Sequence, residues 1–409
     1  MISTVLNKGL NFFILPVLTF YLTKADYGYL GFIVSIVAIA SIYIGLWPQN
    51  FIMAKFNAYG KLKMARYMSN MFIILIVSFI TVFLFLLLFE KSIFENFENS
   101  FSLIVLISYY TVSIVIFNIF NTIVQLEKNA IKYALFQSFY LISSLSIALL
   151  LIIKLDYDWR GKFYAELFIL TLLSLYTVYY FIKEKYIIFD ISVLKIRELF
   201  AYLFPMTFHV LGLFLMGTID KIFLAKYINM EAVGIYTIAM TMSIIINIVY
   251  DSAIKAWEPY FYEKIGTKKA EDMHFIIKSV IFYKLFIIIS ALIYIQVIPY
   301  IFSIMVDDKF NEALLYIPIL VIGFSFEGAR KSLTNFLMHK NKVKMLGSIS
   351  LFAAAVNIAF NIILIQKFGI IGAAYATVIS FAFLYVITLF LVFKYCDLTW
   401  TPQKSLNAK

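Results

Sequence analysis

Long apolar runs separated by short polar breaks dominate the chain. Runs such as 72–89 contain no charged residue, and about twelve windows reach the ~20 residues that an α-helix needs to cross a ~30 Å hydrocarbon core. The runs are longer than the segments of about ten alternating residues that build a membrane β-barrel. The pattern predicts an all-α integral membrane protein with about twelve transmembrane helices, at residues 4–22, 29–47, 67–89, 101–123, 133–153, 163–182, 199–219, 232–252, 275–301, 313–337, 345–366 and 370–393.

Three short motifs recur in the second half of the chain at nearly the same spacing. This is the signature of an internal duplication, which is common among transporters. We therefore predict an N-terminal six-helix bundle over residues 1–190 and a C-terminal six-helix bundle over residues 191–409. Because six is an even number, the two bundles would be parallel and related by an axis along the membrane normal. The matched pairs are 128–132 with 340–344, 161–165 with 372–376, and 26–29 with 231–236.

Composition and charge support a membrane protein and exclude several other classes. The chain is 63% hydrophobic and 14% charged, with a net charge of +11; soluble domains have roughly 45–50% apolar and about 25% charged residues. If the N-terminus is inside, Lys and Arg concentrate in the inner loops, which predicts that both termini are cytoplasmic. The positive charge therefore indicates topology and not a nucleic-acid partner. A single cysteine and three scattered histidines predict no metal site, and without a Gly-rich phosphate loop we expect no nucleotide and no other cofactor.

Charged residues inside the predicted spans are the candidate functional groups. Asp251, Lys255 and Glu258 share one helical face, and Glu327 and Arg330 repeat the pattern. A charge at mid-bilayer costs roughly 2.5–3.5 kcal/mol, so such groups face a wet cavity or one another. One hypothesis is that neighbours of opposite sign simply neutralise each other. The other is a cationic, substrate-binding cavity in which four residues converge on an anionic headgroup: Lys8, Lys55, Lys255 and Arg330.

Acidic residues and one histidine are candidates for coupling or charge pairing. His209 follows Pro205 within a span, where it would carry a coupling proton or make an interhelical hydrogen bond. Asp220 and Lys221 are interpreted as an interfacial pair with a topological role. The coupling set is Asp251, Glu258, Glu327 and His209.

Four segments carry a resemblance to a known family. The whole chain resembles the Wzx-type O-antigen and polysaccharide repeat-unit flippases of the multidrug/oligosaccharidyl-lipid/polysaccharide exporter superfamily. The last of the four segments is the most specific. They are LTKADYGYLG at 22–31, DKIFLAKYINMEAVGIYTIA at 220–239, AWEPYFYEK at 256–264 and NIILIQKFGIIGAAYATVIS at 361–380.

The resemblance implies a MATE-like fold and a transporter in the cytoplasmic (inner) membrane, not an enzyme. The implied cargo is a polyprenyl-pyrophosphate-linked oligosaccharide, flipped from the inner to the outer leaflet for surface polysaccharide synthesis by alternating access. The implied partners are membrane lipids, coupling H⁺ or Na⁺, a polysaccharide polymerase and chain-length proteins. The family depends on ion gradients or on the membrane potential, and Asp251, Glu258, Glu327 and His209 are the candidates for that coupling.

Three alternatives stay open at the level of sequence. A multidrug or other cation-coupled exporter of the same superfamily would favour acidic residues in its cavity. A flippase of lipid-linked peptidoglycan precursors usually has two more helices. A membrane polysaccharide polymerase would need a sizeable outer loop, whereas the predicted outer loops here are short.

Overall fold

The computed structural model describes residues 14–188, 190–267 and 269–396, and within these ranges the chain is helical without a strand. Short 3₁₀ segments at Ile44–Leu46 and Asp308–Leu315 supplement the α-helices. The helices are α1 (Leu15–Tyr21), α2 (Lys24–Tyr43), α3 (Gln49–Lys55), α4 (Lys61–Leu88), α5 (Glu90–Ile93), α6 (Ser100–Leu126), α7 (Ala130–Lys154), α8 (Trp159–Lys183), α9 (Val193–Tyr227), α10 (Met230–Ile265), α11 (Ala270–Met305), α12 (Ile317–His339), α13 (Val343–Phe368) and α14 (Ile370–Tyr395).

The described helices confirm the all-α membrane fold. Nine of them are long and apolar enough to cross a bilayer, and the number rises to eleven when two bent pairs, at 193–227 and 308–339, each count as one span. These eleven correspond to the predicted spans from the second to the twelfth. The predicted first span, 4–22, lies mostly outside the described residues.

The spans differ in how much of their surface faces the rest of the protein. In α2, 67% of the most apolar window is buried, whereas in α4 the share is 22%. Without water in the hydrocarbon core, exposed apolar side chains on α4 are matched to lipid tails and need no protein partner. α2 is therefore a central helix, and α4 presents most of its surface to lipid.

Two prolines that follow tryptophans, Pro48 and Pro259, have different effects on the helices around them. After α2, Gly45 and Trp47 adopt positive φ angles of 76° and 55°, so the helix stops before Pro48. In α10, Pro259 lies inside a helix that continues to Ile265. Pro259 lacks an N–H, so it cannot donate the i→i−4 bond, yet it does not end the helix. Pro48 thus follows the end of a helix, whereas the helix continues through Pro259.

Contacts divide the chain into two compact units. The first unit is Met1–Phe214 with Asn229–Gly234, and the second is Leu215–Ile228 with Ile235–Lys409. The first part of α9 therefore packs with the first unit. The assignment of one six-helix bundle to residues 1–190 and another to 191–409 stays a prediction.

Two glycines that the duplication makes equivalent meet within the first unit. A Cβ on Gly28 would lie 1.8 Å from the carbonyl oxygen of Met230, and a Cβ on Gly234 would lie 1.9 Å from that of Lys24. Small residues at such crossings allow helix backbones to approach closely. The sequence match at 26–29 and 231–236 therefore marks a packing requirement for α2 and the start of α10.

We expect Gly28→Ala to destabilise the protein, because the backbone of Met230 must move to admit the methyl group. Overpacking of this kind typically costs about 1–3 kcal/mol. The measurement is the thermal unfolding midpoint of the detergent-solubilised protein. Gly217→Ala is the matched control, since no atom lies within 4 Å of its added Cβ. Equal midpoints for the two variants would contradict the close crossing.

Polar side chains of α4 hold the segment that precedes α9. Asn70, which is fully buried, donates through Nδ2 to the carbonyl of Asp190 at 2.8 Å and accepts from the backbone N–H of Ser192 at 2.8 Å. Ser69 Oγ accepts from the N–H of Ile188 at 2.9 Å. Buried backbone N–H and C=O groups need hydrogen-bond partners, and the side chains of Ser69 and Asn70 provide them here. The connection between α8 and α9 is therefore fixed to α4.

An ion-pair cluster reinforces this connection. The carboxylate of Asp190 lies 2.9 Å from Lys195 Nζ and 3.2 Å from Arg66 Nε. The hydrogen bond from Lys195, assisted by Arg66, holds the pKa of Asp190 below its ordinary value. A lowered folded-state pKa stabilises the fold above the unfolded pKa, and that contribution disappears as the pH falls through the folded value. Because the groups are exposed to solvent, the contribution is small.

Candidate functional site

Glu327 and Arg330 form a buried ion pair on one face of α12. Arg330 Nε donates to Glu327 Oε2 and Arg330 Nη2 donates to Glu327 Oε1, both at 2.7 Å. Each residue is 8% exposed. The i,i+3 spacing brings the two side chains together, and the planar guanidinium meets both carboxylate oxygens. The pair neutralises both charges and leaves Arg330 Nη1 outside it.

A second ion pair joins α12 to α10. Lys331 Nζ contacts the carboxylate of Asp251 and donates to Asn247 Oδ1 at 2.8 Å. Asp251 and Lys331 are both half-buried. The predicted i,i+4 partner of Asp251, Lys255, is instead exposed. Asp251 is therefore neutralised by the neighbouring helix, because a cation across the helix interface reaches it better than one farther along its own surface.

Tyrosines tie the two ion-pair helices to α11. Tyr283 donates to the carbonyl of Tyr250 at 3.2 Å and lies 3.4 Å from that of Gly328. The hydroxyl of Tyr250 donates to the carbonyl of Ile287 at 3.2 Å. A Cβ on Gly328 would come within 2.6 Å of the Tyr250 ring. Gly328 thus lets the ring pack against α12, next to the Glu327–Arg330 pair.

Of the four residues predicted to form a cationic cavity, the structure describes three: Lys55 in the first unit, and Lys255 and Arg330 in the second. Lys255 has no ion-pair partner among the described residues and is exposed, and Glu258 is half-buried. Lys55 lies in the first unit, at the end of α3, with Nζ 5.9 Å from the centroid of the Tyr59 ring. Lys8 lies outside the described residues, and His209 belongs to α9. The convergence of Lys8, Lys55, Lys255 and Arg330 stays a prediction.

The second unit contains a carboxylate, that of Asp220, which the protein itself buries completely. Asp220 of α9 has no exposed surface. Its Oδ2 accepts hydrogen bonds from Tyr236 of α10 and, at 3.0 Å, from Thr377 of α14. Its Oδ1 is buried without a hydrogen-bond partner. No Lys or Arg forms a salt bridge with it within the described ranges, although the adjacent Lys221 interacts with it electrostatically, so a proton or a bound cation can also neutralise the acid.

Two buried asparagines extend this polar cluster. Asn357 Nδ2 lies 3.5 Å from the carbonyl of Ala376, the neighbour of Thr377. Asn361 Nδ2 donates to Asn357 Oδ1 at 3.0 Å, and Asn361 Oδ1 has no partner. Both asparagines have no exposed surface. The second unit therefore contains two buried carbonyl or carboxylate oxygens without a hydrogen-bond partner, Asp220 Oδ1 and Asn361 Oδ1.

The sequence contained a signal for this cluster. Asn357, Asn361 and Thr377 are polar positions within otherwise apolar predicted spans and Asp220 directly follows one, and polar groups at membrane depth indicate function. Their common location could not be inferred, because they belong to helices far apart along the chain. Over the part of the chain that the structure describes, no three His, Cys, Asp or Glu side chains cluster as metal ligands. Neutral oxygens would have to supply most ligands for a cation at Asp220.

Family models match most of the chain. The model described as "Polysaccharide biosynthesis protein" matches residues 1–264, and the MatE model matches residues 205–363. The chain is 28% identical over 234 residues to an uncharacterized membrane protein of Methanocaldococcus jannaschii, a match that covers 55% of this chain. It is 25% identical over 178 residues to a protein of the Lsg locus of Haemophilus influenzae, covering 41%. The matches span 44% of the length of each of these two relatives.

Solved structures show the same fold over nearly the whole chain. An inward-facing multidrug resistance MATE family transporter of the MOP superfamily matches with a TM-score of 0.70 at 15% identity, covering 97% of this chain and 96% of that one. The lipid II flippase MurJ, in an inward closed conformation, matches with a TM-score of 0.76 at 15% identity, covering 96% and 86%. The predicted MATE-like fold and the predicted resemblance are thereby confirmed. The chain therefore belongs to the polysaccharide biosynthesis protein family and is a multi-pass membrane protein with a fold shared by MATE transporters and MurJ.

Proposed function

We propose that this transporter flips a polyprenyl-pyrophosphate-linked oligosaccharide repeat unit from the inner to the outer leaflet of the cytoplasmic membrane. It would do so by alternating access, with both termini in the cytoplasm, and so supply O-antigen or capsule synthesis. The family match over residues 1–264 is the observation that carries the proposal. The relative from the Lsg locus and the fold shared with a lipid II flippase agree with it.

The charges of the second unit suit an anionic pyrophosphate. Arg330 Nη1 lies outside the pair with Glu327, and a guanidinium binds phosphate oxygens through parallel N–H groups. Lys255 is exposed on α10 and can approach the same ligand as a mobile point charge. When pyrophosphate arrives, Arg330 would exchange part of its bond to Glu327 for bonds to the ligand. The ion pair with Glu327 thus stabilises the guanidinium of Arg330 in the membrane when no pyrophosphate is bound.

The carboxylate of Asp220 is the binding site that we propose for the coupling ion. A buried carboxylate with one oxygen lacking a donor binds H⁺ directly, or Na⁺ with help from nearby oxygens such as those of Tyr236 and Thr377. The bound H⁺ or Na⁺ neutralises the carboxylate of Asp220 and so stabilises the packing of α9 against α10 and α14. Ion binding and helix packing are thereby linked, as gradient-driven alternating access requires.

The proposal is tested by the lipid carrier that accumulates when the gene is deleted. Full-length lipid-linked repeat units are expected on the inner leaflet, and surface polysaccharide is expected to return when the wild-type chain is supplied. Leaflet location is read with a membrane-impermeant lectin or periodate in right-side-out and inverted vesicles. Accumulation of finished units on the outer face would overturn the proposal and favour a polymerase defect.

A multidrug or other cation-coupled exporter is the second candidate. The MatE match over residues 205–363 and the buried Asp220 favour it. An exporter would make the deletion strain more sensitive to cationic dyes and leave its surface polysaccharide normal. The repeat-unit flippase gives the opposite pair of results.

A further inference from the structure

Three loops of the first unit enclose a polar cavity of about 480 Å³. Its walls come from the start of α2 (26–29), from the segment before α6 together with the first turns of that helix (96–106), and from the start of α8 (158–164). With a cytoplasmic N-terminus, these are the three outer connections of the predicted first bundle. Ligand pockets typically measure about 300–1,000 Å³, so the cavity is large enough for a small organic ligand.

Aromatic rings form one wall of this outer cavity. Tyr29 stacks on Trp159 with the ring centroids 5.3 Å apart and an interplanar angle of 28°. Phe97 packs edge-on against both rings, at 5.0 Å and 6.1 Å. The contacts hold the rings in place, so a ligand meets a preformed apolar surface. Tyr164 adds an exposed ring to the lining.

Acidic and amide groups form the other wall. Asp26 completes the capping box of α2 by accepting from the N–H of Thr23 at 2.9 Å, and Asp158 caps α8 by accepting from the N–H of Arg160 at 2.9 Å. Glu98 is exposed and makes no hydrogen bond to another described residue, so its carboxylate is available. The lining holds three carboxylates and one guanidinium, and this excess of negative charge repels phosphate.

We propose that the outer cavity binds the glycan of the flipped repeat unit, through neutral or amino sugars, after it reaches the outer leaflet. A sugar ring combines apolar C–H faces, which pack on aromatic rings, with hydroxyl groups that donate to carboxylates. The acidic lining admits hydroxyl and ammonium groups and excludes the pyrophosphate. The inference rests on the proposed function, because that function brings a glycan to this face.

A cysteine reporter tests both the side of the membrane and the ligand. Cys396 is the single native cysteine and is buried, so Ser102→Cys in a Cys396→Ala background places one thiol on the cavity wall. We expect a membrane-impermeant maleimide to label it in right-side-out vesicles. The lipid-free oligosaccharide, released by mild acid from the strain's own polyprenyl carrier, should slow that labelling several-fold, and inorganic pyrophosphate should not.

Glu98→Gln measures the contribution of the free carboxylate. We expect the concentration of oligosaccharide that protects half of the thiol to rise about tenfold, which corresponds to the loss of one charge-assisted hydrogen bond. Glu95→Gln is the matched control, since Glu95 is exposed but does not line the cavity.

Each adverse result overturns a specific part of the inference. Labelling only in inverted vesicles refutes the outer location, and absence of labelling from both sides refutes an open cavity. Labelling without protection refutes glycan binding, and equal protection by maltotriose and by the strain's own oligosaccharide refutes recognition of the flipped repeat unit. None of these results depends on transport, so the failure of this site remains distinct from the failure of the proposed function, which is judged by the accumulated lipid.

Discussion

Asp220→Asn is expected to abolish the dependence of transport on an ion gradient while the protein still folds and inserts. The amide keeps the shape of the side chain but carries no charge for H⁺ or Na⁺ to neutralise. Moving one elementary charge through 100 mV corresponds to about 2.3 kcal/mol, or roughly 50-fold in accumulation. Loss of the coupling ion should therefore reduce gradient-driven flipping by up to that factor.

The measurement compares proteoliposomes with and without an imposed proton or sodium gradient, using lipid-linked oligosaccharide extracted from the deletion strain. Asp156→Asn is the matched control, because Asp156 is exposed and its positive φ of 52° suits asparagine equally well. Thr377→Val should weaken coupling less, since it removes one of two donors to Asp220 Oδ2. An Asp220→Asn protein that responds to the gradient as the wild type does would show that coupling occurs elsewhere.

Arg330→Ala is expected to destabilise the protein strongly, because it leaves Glu327 charged and buried without a partner. Breaking a buried ion pair by removing one member costs about 3–5 kcal/mol. The double variant Glu327→Leu/Arg330→Met should recover most of this loss, since well-packed apolar residues can replace such a pair. The free energy of unfolding in detergent, measured for all three proteins, checks both expectations.

The double variant then separates a structural role of Arg330 from a role in cargo binding. A stable double variant that supports no surface polysaccharide would place Arg330 in the transport site. Normal polysaccharide would limit the pair to stabilising α12. Lys255→Ala is the companion variant: Lys255 is exposed, so we expect unchanged stability with reduced transport.

The spans were predictable because each is a local property of about twenty residues. The apolar runs alone identified the eleven spans that the described residues support. The helix ends were less predictable: Pro48 follows the end of one helix, while Pro259 lies within another. The difference depends on the left-handed turn at Gly45 and Trp47, which the proline itself does not specify.

The site was predictable only in part, for a related reason. The pairing of Glu327 with Arg330 follows from their spacing on one helix. The partner of Asp251 does not, because Lys331 reaches it from another helix. The sequence likewise predicted an interfacial pair of Asp220 with Lys221, which stays a prediction, and it did not indicate the contacts with Tyr236 and Thr377 that bury Asp220 completely.

The sequence by itself determined the membrane class, the positions of the spans and the family, since hydropathy and short motifs are properties of contiguous residues. Only the tertiary structure decided which polar groups share an environment. Helix packing brings together residues such as Asp220 and Thr377, which are separated by more than half of the second unit. In a membrane, the free-energy cost of a charge depends on its nearest partner, and the tertiary fold determines which residue that partner is.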